Sequence, residues 1–222
     1  MKQLKNFPYY CLGSSTPKVR AGALVSYSHR YVKKSIHLFR DPFENIISRF
    51  HHRMARFPPK GDVNLTDRQH FIEYCRTDRV MSPLINSLVF KLPGNLSQQE
   101  WNAFSRVPCH DDFFRYIIWH NMVFFTTRAM KLENMNFHYE SYGEYNSTEF
   151  NQASDALLDF LEYSRRAPPA FFRRRNYVDY FNPKQKQAVF RALKAMSTND
   201  TWTAIKRYFT VQIQKESSPG QE

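Results

Sequence analysis

The sequence predicts an α/β fold, a parallel sheet flanked by helices, on three observations. Two strand-like segments, Ser35–Phe39 and Met135–Glu140, stand roughly 95 residues apart, and each leads into a helix. A long amphipathic stretch, Asp111–Lys131, lies between them. A content of 42% hydrophobic residues with only 6 Gly and 12 Pro is that of a chain able to bury a core. At 222 residues one domain over 1–222 is expected, with an ordered core at about 30–210 and a loose polar tail at 211–222.

Residues 1–30 read as irregular, punctuated by Pro8, the run Gly13-Ser14-Ser15-Thr16-Pro17, and Gly22. Ser35–Phe39 alternates and stops at Arg40-Asp41-Pro42, so a strand should feed a helix there. Asp41 can cap, Pro42 suits the first helical position, and Glu44 stands where a capping-box acid reaches back to the N–H of the cap. Phe43, Ile46, Ile47, Phe50, Met54 and Phe57 make the apolar face of this helix, which Pro58-Pro59 ends. Short helices are expected near Asp67–Thr77 and Ser97–Phe104. In Asp111–Lys131 the stripe Phe114, Ile118, Met122, Phe125 and Ala129, widened by Phe113, Ile117 and Phe124, should pack on the sheet. The second strand then ends at Glu140, and helices follow at about 147–162, at Pro183–Met196 and at Thr198–Phe209. Two strands are few for a parallel sheet, which must be covered on both faces. The irregular N-terminus should hold a third, or the chain is the later part of a larger domain.

Thirty-two Lys and Arg against 20 Asp and Glu leave +12, a balance that favours anionic partners without naming the chemistry. The basic runs Arg165-Arg166 and Arg173-Arg174-Arg175 have a solvated face as their ordinary reading. No apolar run approaches the roughly 20 residues that cross a bilayer, and residues 1–20 lack the apolar core of a signal peptide. Cys11, Cys75 and Cys109 have no metal-ligand spacing, and adjacent His51-His52 point about 100° apart on a helix, so no metal is expected. Cys75 and Cys109 can close a disulfide, or all three thiols can stay reduced. Four acceptor triplets, at Asn64, Asn95, Asn146 and Asn199, exceed the roughly two that 14 Asn and the Ser/Thr frequency supply by chance and lean toward a secretory lumen.

The sharpest constellation is Phe39-Arg40-Asp41-Pro42, followed by Ser48-Arg49-Phe50. A guanidinium at the carboxyl end of a parallel strand, with a hydroxyl about two turns into the next helix, suits a phosphate in the crevice where α/β sheets bind ligands. The competing reading is a surface Arg40 paired with Glu44 and a Ser48 on a polar helix face. The segment resembles the second cofactor motif of the sulfotransferase family: strand, Arg-[Asp/Asn]-Pro, about seven residues, then Ser and often Arg-Phe/Tyr. The resemblance extends through Trp119-His120-Asn121, Phe137-His138-Tyr139-Glu140-Ser141, Asp179-Tyr180-Phe181-Asn182-Pro183 and Trp202 to Phe209, and covers about 30–210. It implies a P-loop-NTPase-like sheet and sulfuryl transfer from 3′-phosphoadenosine 5′-phosphosulfate (PAPS) to a hydroxyl or amine. By the same likeness Arg40 and Ser48 hold the 3′-phosphate, and the loop Arg173, Arg174, Arg175 closes over it. It further implies a carbohydrate acceptor and a Golgi-lumenal setting, with any membrane association through an anchor outside this chain; a cytoplasmic setting is the alternative.

His120 matches a family His on that helix and lies about 200° round from Ile118, so it is the candidate base if it faces the cleft; the alternative is a structural His bonded to a backbone carbonyl. The family's phosphosulfate loop, Pro-Lys-Ser/Thr-Gly-Thr-Thr in pattern, has no counterpart, since Gly13-Ser14-Ser15-Thr16 lacks the preceding Lys. The expectation is therefore a chain that begins inside the domain and is inactive as a fragment. The rival classes are a polyanion or nucleic-acid binding module and a catalytically dead relative. The aromatics sit mainly on apolar helix faces and no nucleic-acid motif is present, so nucleic acid is not the expected partner.

Overall fold

Alternation in Lys34-Ser35-Ile36-His37-Leu38-Phe39 forms the first strand, β1 (Lys34–Phe39), whose His37 and Phe39 turn inward. In the computed structural model, which describes residues 33–57, 67–77, 94–142, 147–164 and 178–217, β1 pairs in parallel with β2 (Glu133–His138). The register runs from Lys34↔Glu133 to Phe39↔His138. The described residues thus make an α/β layer that is mostly helical with a two-stranded parallel sheet. The N-terminal segment considered for a third strand lies outside them. None of the described helices is long and apolar enough to cross a membrane.

Helix α1 (Pro42–Arg56) starts as its sequence dictates, with Pro42 in its first turn and the Asp41 carboxylate accepting from Phe43 N–H at 2.8 Å and Glu44 N–H at 3.1 Å. The expected capping box is absent: the N–H of Asp41 donates to Glu140 Oε1 at 2.6 Å, across the sheet, rather than to Glu44. Phe43, Ile46, Ile47 and Phe50 are buried as expected, whereas Phe57 is 58% exposed, because the last turn leaves the core. Helices α2 (Arg68–Thr77) and α3 (Gln98–Phe104) follow, α3 opened by a Ser97–Glu100 capping box.

Helix α4 (His110–Ala129) packs against α1, α6 (Pro183–Met196) and α7 (Asn199–Ile205). Its buried face differs from the expected stripe. Phe113, Tyr116, Ile117, Ile118, His120 and Asn121 are inside, while Phe125 is 47% exposed and Ala129 is also exposed. Rings occupy several sides of the helix, so partners elsewhere choose the inner face, and the inward Tyr116, His120 and Asn121 each have one. Asn121 Nδ2 donates to Met196 O at 2.8 Å, and its Oδ1 accepts from Thr198 N–H at 3.0 Å, fastening the turn between α6 and α7.

The second strand ends at His138, two residues earlier than expected, and Tyr139–Tyr142 form a 3₁₀ turn that carries Glu140. Helix α5 (Thr148–Phe160) contacts β2 and this turn. The predicted helix at Thr198–Phe209 is α7 followed by a 3₁₀ turn at Lys206–Phe209, and α8 (Thr210–Ser217) continues beyond it. The tail expected to be loose from 211 is therefore helical to Ser217. Edge-on rings fill the core, Phe43 lying 5.2 Å from both Phe113 and Phe181, and burial of one such ring stabilises by about 2–3 kcal/mol. Cys75 and Cys109 are joined by a disulfide that ties α2 to the entry of α4.

Candidate functional site

The carboxyl ends of the two strands bring together residues 37–41 and 138–140 with α4 and the turn before α8. Arg40, at the end of β1, places its guanidinium 4.7 Å from the centroid of the Tyr139 ring, across the end of β2. Its Nε is buried with no hydrogen-bond partner, and no acid among the described residues pairs with it. The expected alternative of an Arg40–Glu44 pair is not formed. Several other basic side chains among the described residues are paired with acids: Lys34 with Glu162, Arg49 and Arg115 with Asp112, Lys186 with Asp179, and Arg207 with Glu149. Ser48 is half-buried in the second turn of α1. Seven residues past Asp41, it lies about 10 Å along the axis on nearly the same side of the helix.

A polar chain runs behind Arg40. His138 Nδ1 bonds to the Tyr208 hydroxyl at 2.8 Å, and Tyr208 donates to Glu140 Oε2 at 2.8 Å. Glu140 Oε1 accepts from Asp41 N–H, and the Tyr116 hydroxyl donates to Arg40 O at 2.8 Å. Burial pushes the Asp41 carboxyl up to about 6, against the pull of its hydrogen bonds from Glu44 and Phe43 N–H. Burial likewise raises the Tyr116 and Tyr208 phenols, with Asp41 adding at Tyr116 and Glu140 at both. The two phenols are thus neutral donors.

His120 is 4% exposed, inside the layer between sheet and α4, rather than facing a cleft. Its Nδ1 lies 2.7 Å from His37 Nε2, and its ring stacks on Phe39 at 4.6 Å. Its partner is thus a side chain, not the backbone carbonyl considered above. Burial, reinforced by His37 and His138, holds it neutral and well below the usual imidazole range. The Nδ1 of His37 has no hydrogen-bond partner, which an unprotonated nitrogen tolerates better than an N–H would; His37 therefore carries its hydrogen on Nε2 and donates to His120.

A separate cleft of about 280 Å³ shares Asp41 and Tyr208 with this network and is also lined by Phe43, Glu44, Asp179 and Lys186. Neither Arg40 nor Ser48 lines it. Among the described residues that line it three carboxylates face one Lys, a balance that does not suit an anion. Arg173, Arg174 and Arg175 lie outside the described residues, as do Asn64 and Asn146. Asn95 and Asn199 are exposed. Sequence reasoning missed Tyr116, Tyr139 and Tyr208. For Tyr116 the available signal was that a Tyr on a buried helix face needs a partner for its hydroxyl, although which partner depends on contacts distant in sequence; Tyr139 and Tyr208 stand in 3₁₀ turns, which gave no such signal.

No protein-family model matches this chain, and neither a curated protein nor a solved structure matches it.

Proposed function

We propose that this α/β layer belongs to a sulfotransferase-type domain of P-loop-NTPase-like fold, which transfers a sulfuryl group from PAPS to a hydroxyl or amine, with a carbohydrate acceptor. The observation that carries the reading is the buried, unpaired Nε of Arg40 at the end of a parallel strand, beside the N-terminus of α1. A buried guanidinium nitrogen without a partner is costly unless an acceptor completes it, and a phosphate oxygen supplies a charge-assisted one. The aromatic face of Tyr139 under the guanidinium limits its freedom while leaving its edge to hydrogen-bond. In this reading Arg40 and Ser48 grip the 3′-phosphate of the nucleotide and fix its orientation for in-line transfer. The Arg173–Arg175 loop would add charge to the same phosphate. No described residue is assigned as the base, since His120 is buried in the layer. The Cys75–Cys109 bond and the exposed Asn95 and Asn199 favour an oxidising lumen such as the Golgi.

Calorimetric titration of adenosine 3′,5′-bisphosphate into the chain tests this directly. Arg40→Ala should weaken binding by about ten- to hundredfold, the worth of a lost charged hydrogen bond. Equal affinity in both proteins, or tight salt-sensitive binding of duplex nucleic acid with indifference to the bisphosphate, would refute it.

A further inference from the structure

The peptide unit joining Arg40 to Asp41 is held at both of its polar ends by side chains distant in sequence. Its carbonyl accepts from Tyr116 on α4, and its N–H donates to Glu140 in the turn after β2. Tyr116 is 7% exposed, so its hydroxyl has little competition from water. Glu140 is held in turn, because its other oxygen accepts from Tyr208. With the Tyr208 hydrogen committed to the carboxylate, its oxygen accepts from His138 Nδ1–H.

A capping box would have satisfied the same N–H locally, through Glu44. The bond goes instead to the end of β2 and ties the strands together beyond their last ladder pair, Phe39↔His138. A peptide unit is planar, so fixing its C=O and its N–H fixes the plane, and with it ψ of residue 40 and φ of residue 41. What remains to the guanidinium is its own side-chain torsions, narrowed by the Tyr139 ring.

We infer that Tyr116 and Glu140 are positioning residues for Arg40: they clamp the Arg40–Asp41 peptide plane so that the guanidinium is presented to a phosphate at the strand ends, while Tyr208 and His138 hold Glu140 in place. The inference rests on the reading of Arg40 as a phosphate ligand. Neither residue is assigned a contact with the nucleotide. The negative charge of Glu140, which would repel a phosphate, is turned toward a backbone N–H and a phenol.

The test uses two nucleotides that differ only in the 3′-phosphate, adenosine 3′,5′-bisphosphate and adenosine 5′-monophosphate, titrated into the 222-residue chain. Tyr116→Phe and Glu140→Ala should each weaken the bisphosphate by about tenfold, the size of one lost hydrogen bond, and leave the monophosphate within about twofold. Glu140→Gln keeps an oxygen for Asp41 N–H and should recover most of the loss. Equal weakening of both nucleotides would show a merely structural role and overturn the inference, as would unchanged discrimination in the folded variants. Should Glu140→Ala fail to fold, Tyr116→Phe, which removes a single oxygen, decides alone. Failure of the underlying reading looks different: the unsubstituted chain then shows no preference for the bisphosphate, or Arg40→Ala keeps that preference, and both ideas fall together.

Discussion

Three imidazoles surround one phenyl ring at the inner face of the sheet, Phe39 lying against His37 at 4.1 Å, His120 at 4.6 Å and His138 at 5.4 Å. Burial holds His37 down at about 4, with the charge of His138 adding to it. His138 is also at about 4, through burial and then Arg207, with Glu149 opposing. In the unfolded chain these rings titrate near 6.5, so between pH 6.5 and 4 the unfolded state takes up more protons and stability falls as the pH drops. His37 alone accounts for about 3 kcal/mol over that window. Asp41 acts the opposite way: its raised folded value lets stability rise as the pH falls from about 6 to 3.8, by about 3 kcal/mol. Three histidines outweigh one carboxyl, so the urea midpoint should decrease from pH 7 to pH 4.5. Asp41→Asn keeps a capping oxygen and removes the opposing carboxyl, and should steepen that decrease. A midpoint that does not move across the window would contradict the burial of the rings.

At the scale of elements, the approach of α6 to the segment before α3 depends on a missing side chain. A Cβ on Gly94 would stand 2.4 Å from the backbone oxygen of Ala195, and a helix backbone cannot step aside as a flexible side chain can. Gly94→Ala should therefore cost about 1–3 kcal/mol in urea unfolding, and a neutral result would show that the two segments are not in contact. The α6 boundaries were legible in the sequence because Pro183 and the flanking polar residues are local signals; the Asn182–Gln185 capping box forms at that start. Asn182→Ala should cost about 1 kcal/mol, read in the same assay. The strand before Arg40 and the cap at Asp41 were legible for the same reason. The inner face of α4 was not. Its rings point in every direction, and the inward turn of His120 and Asn121 is decided by His37 and by the α6–α7 turn, 83 and 75 residues away. The partner of Asp41 N–H was misread in the same way, since local spacing favours Glu44 and the fold supplies Glu140.

For the whole molecule, cysteine arithmetic left two readings open, and the Cys75–Cys109 bond resolves them. Closing a loop across a separation of 34 residues restricts the unfolded chain by about 4 kcal/mol, so a reductant should lower the unfolding free energy read from urea by about that much; an unchanged free energy would show the bond to be absent. The strand, cap and helix from Phe39 to Ser48 were readable because their signals lie on one local unit. The clamp behind it, drawn from α4, the β2 turn and Tyr208, was not readable, since its members meet only when the sheet pairs. The most direct measurement of the central claim is a crystal structure of the chain with adenosine 3′,5′-bisphosphate. The 3′-phosphate should lie within about 3 Å of Arg40 Nε and of the Ser48 hydroxyl. A nucleotide bound elsewhere, with the Nε of Arg40 still unpartnered against Tyr139, would contradict it.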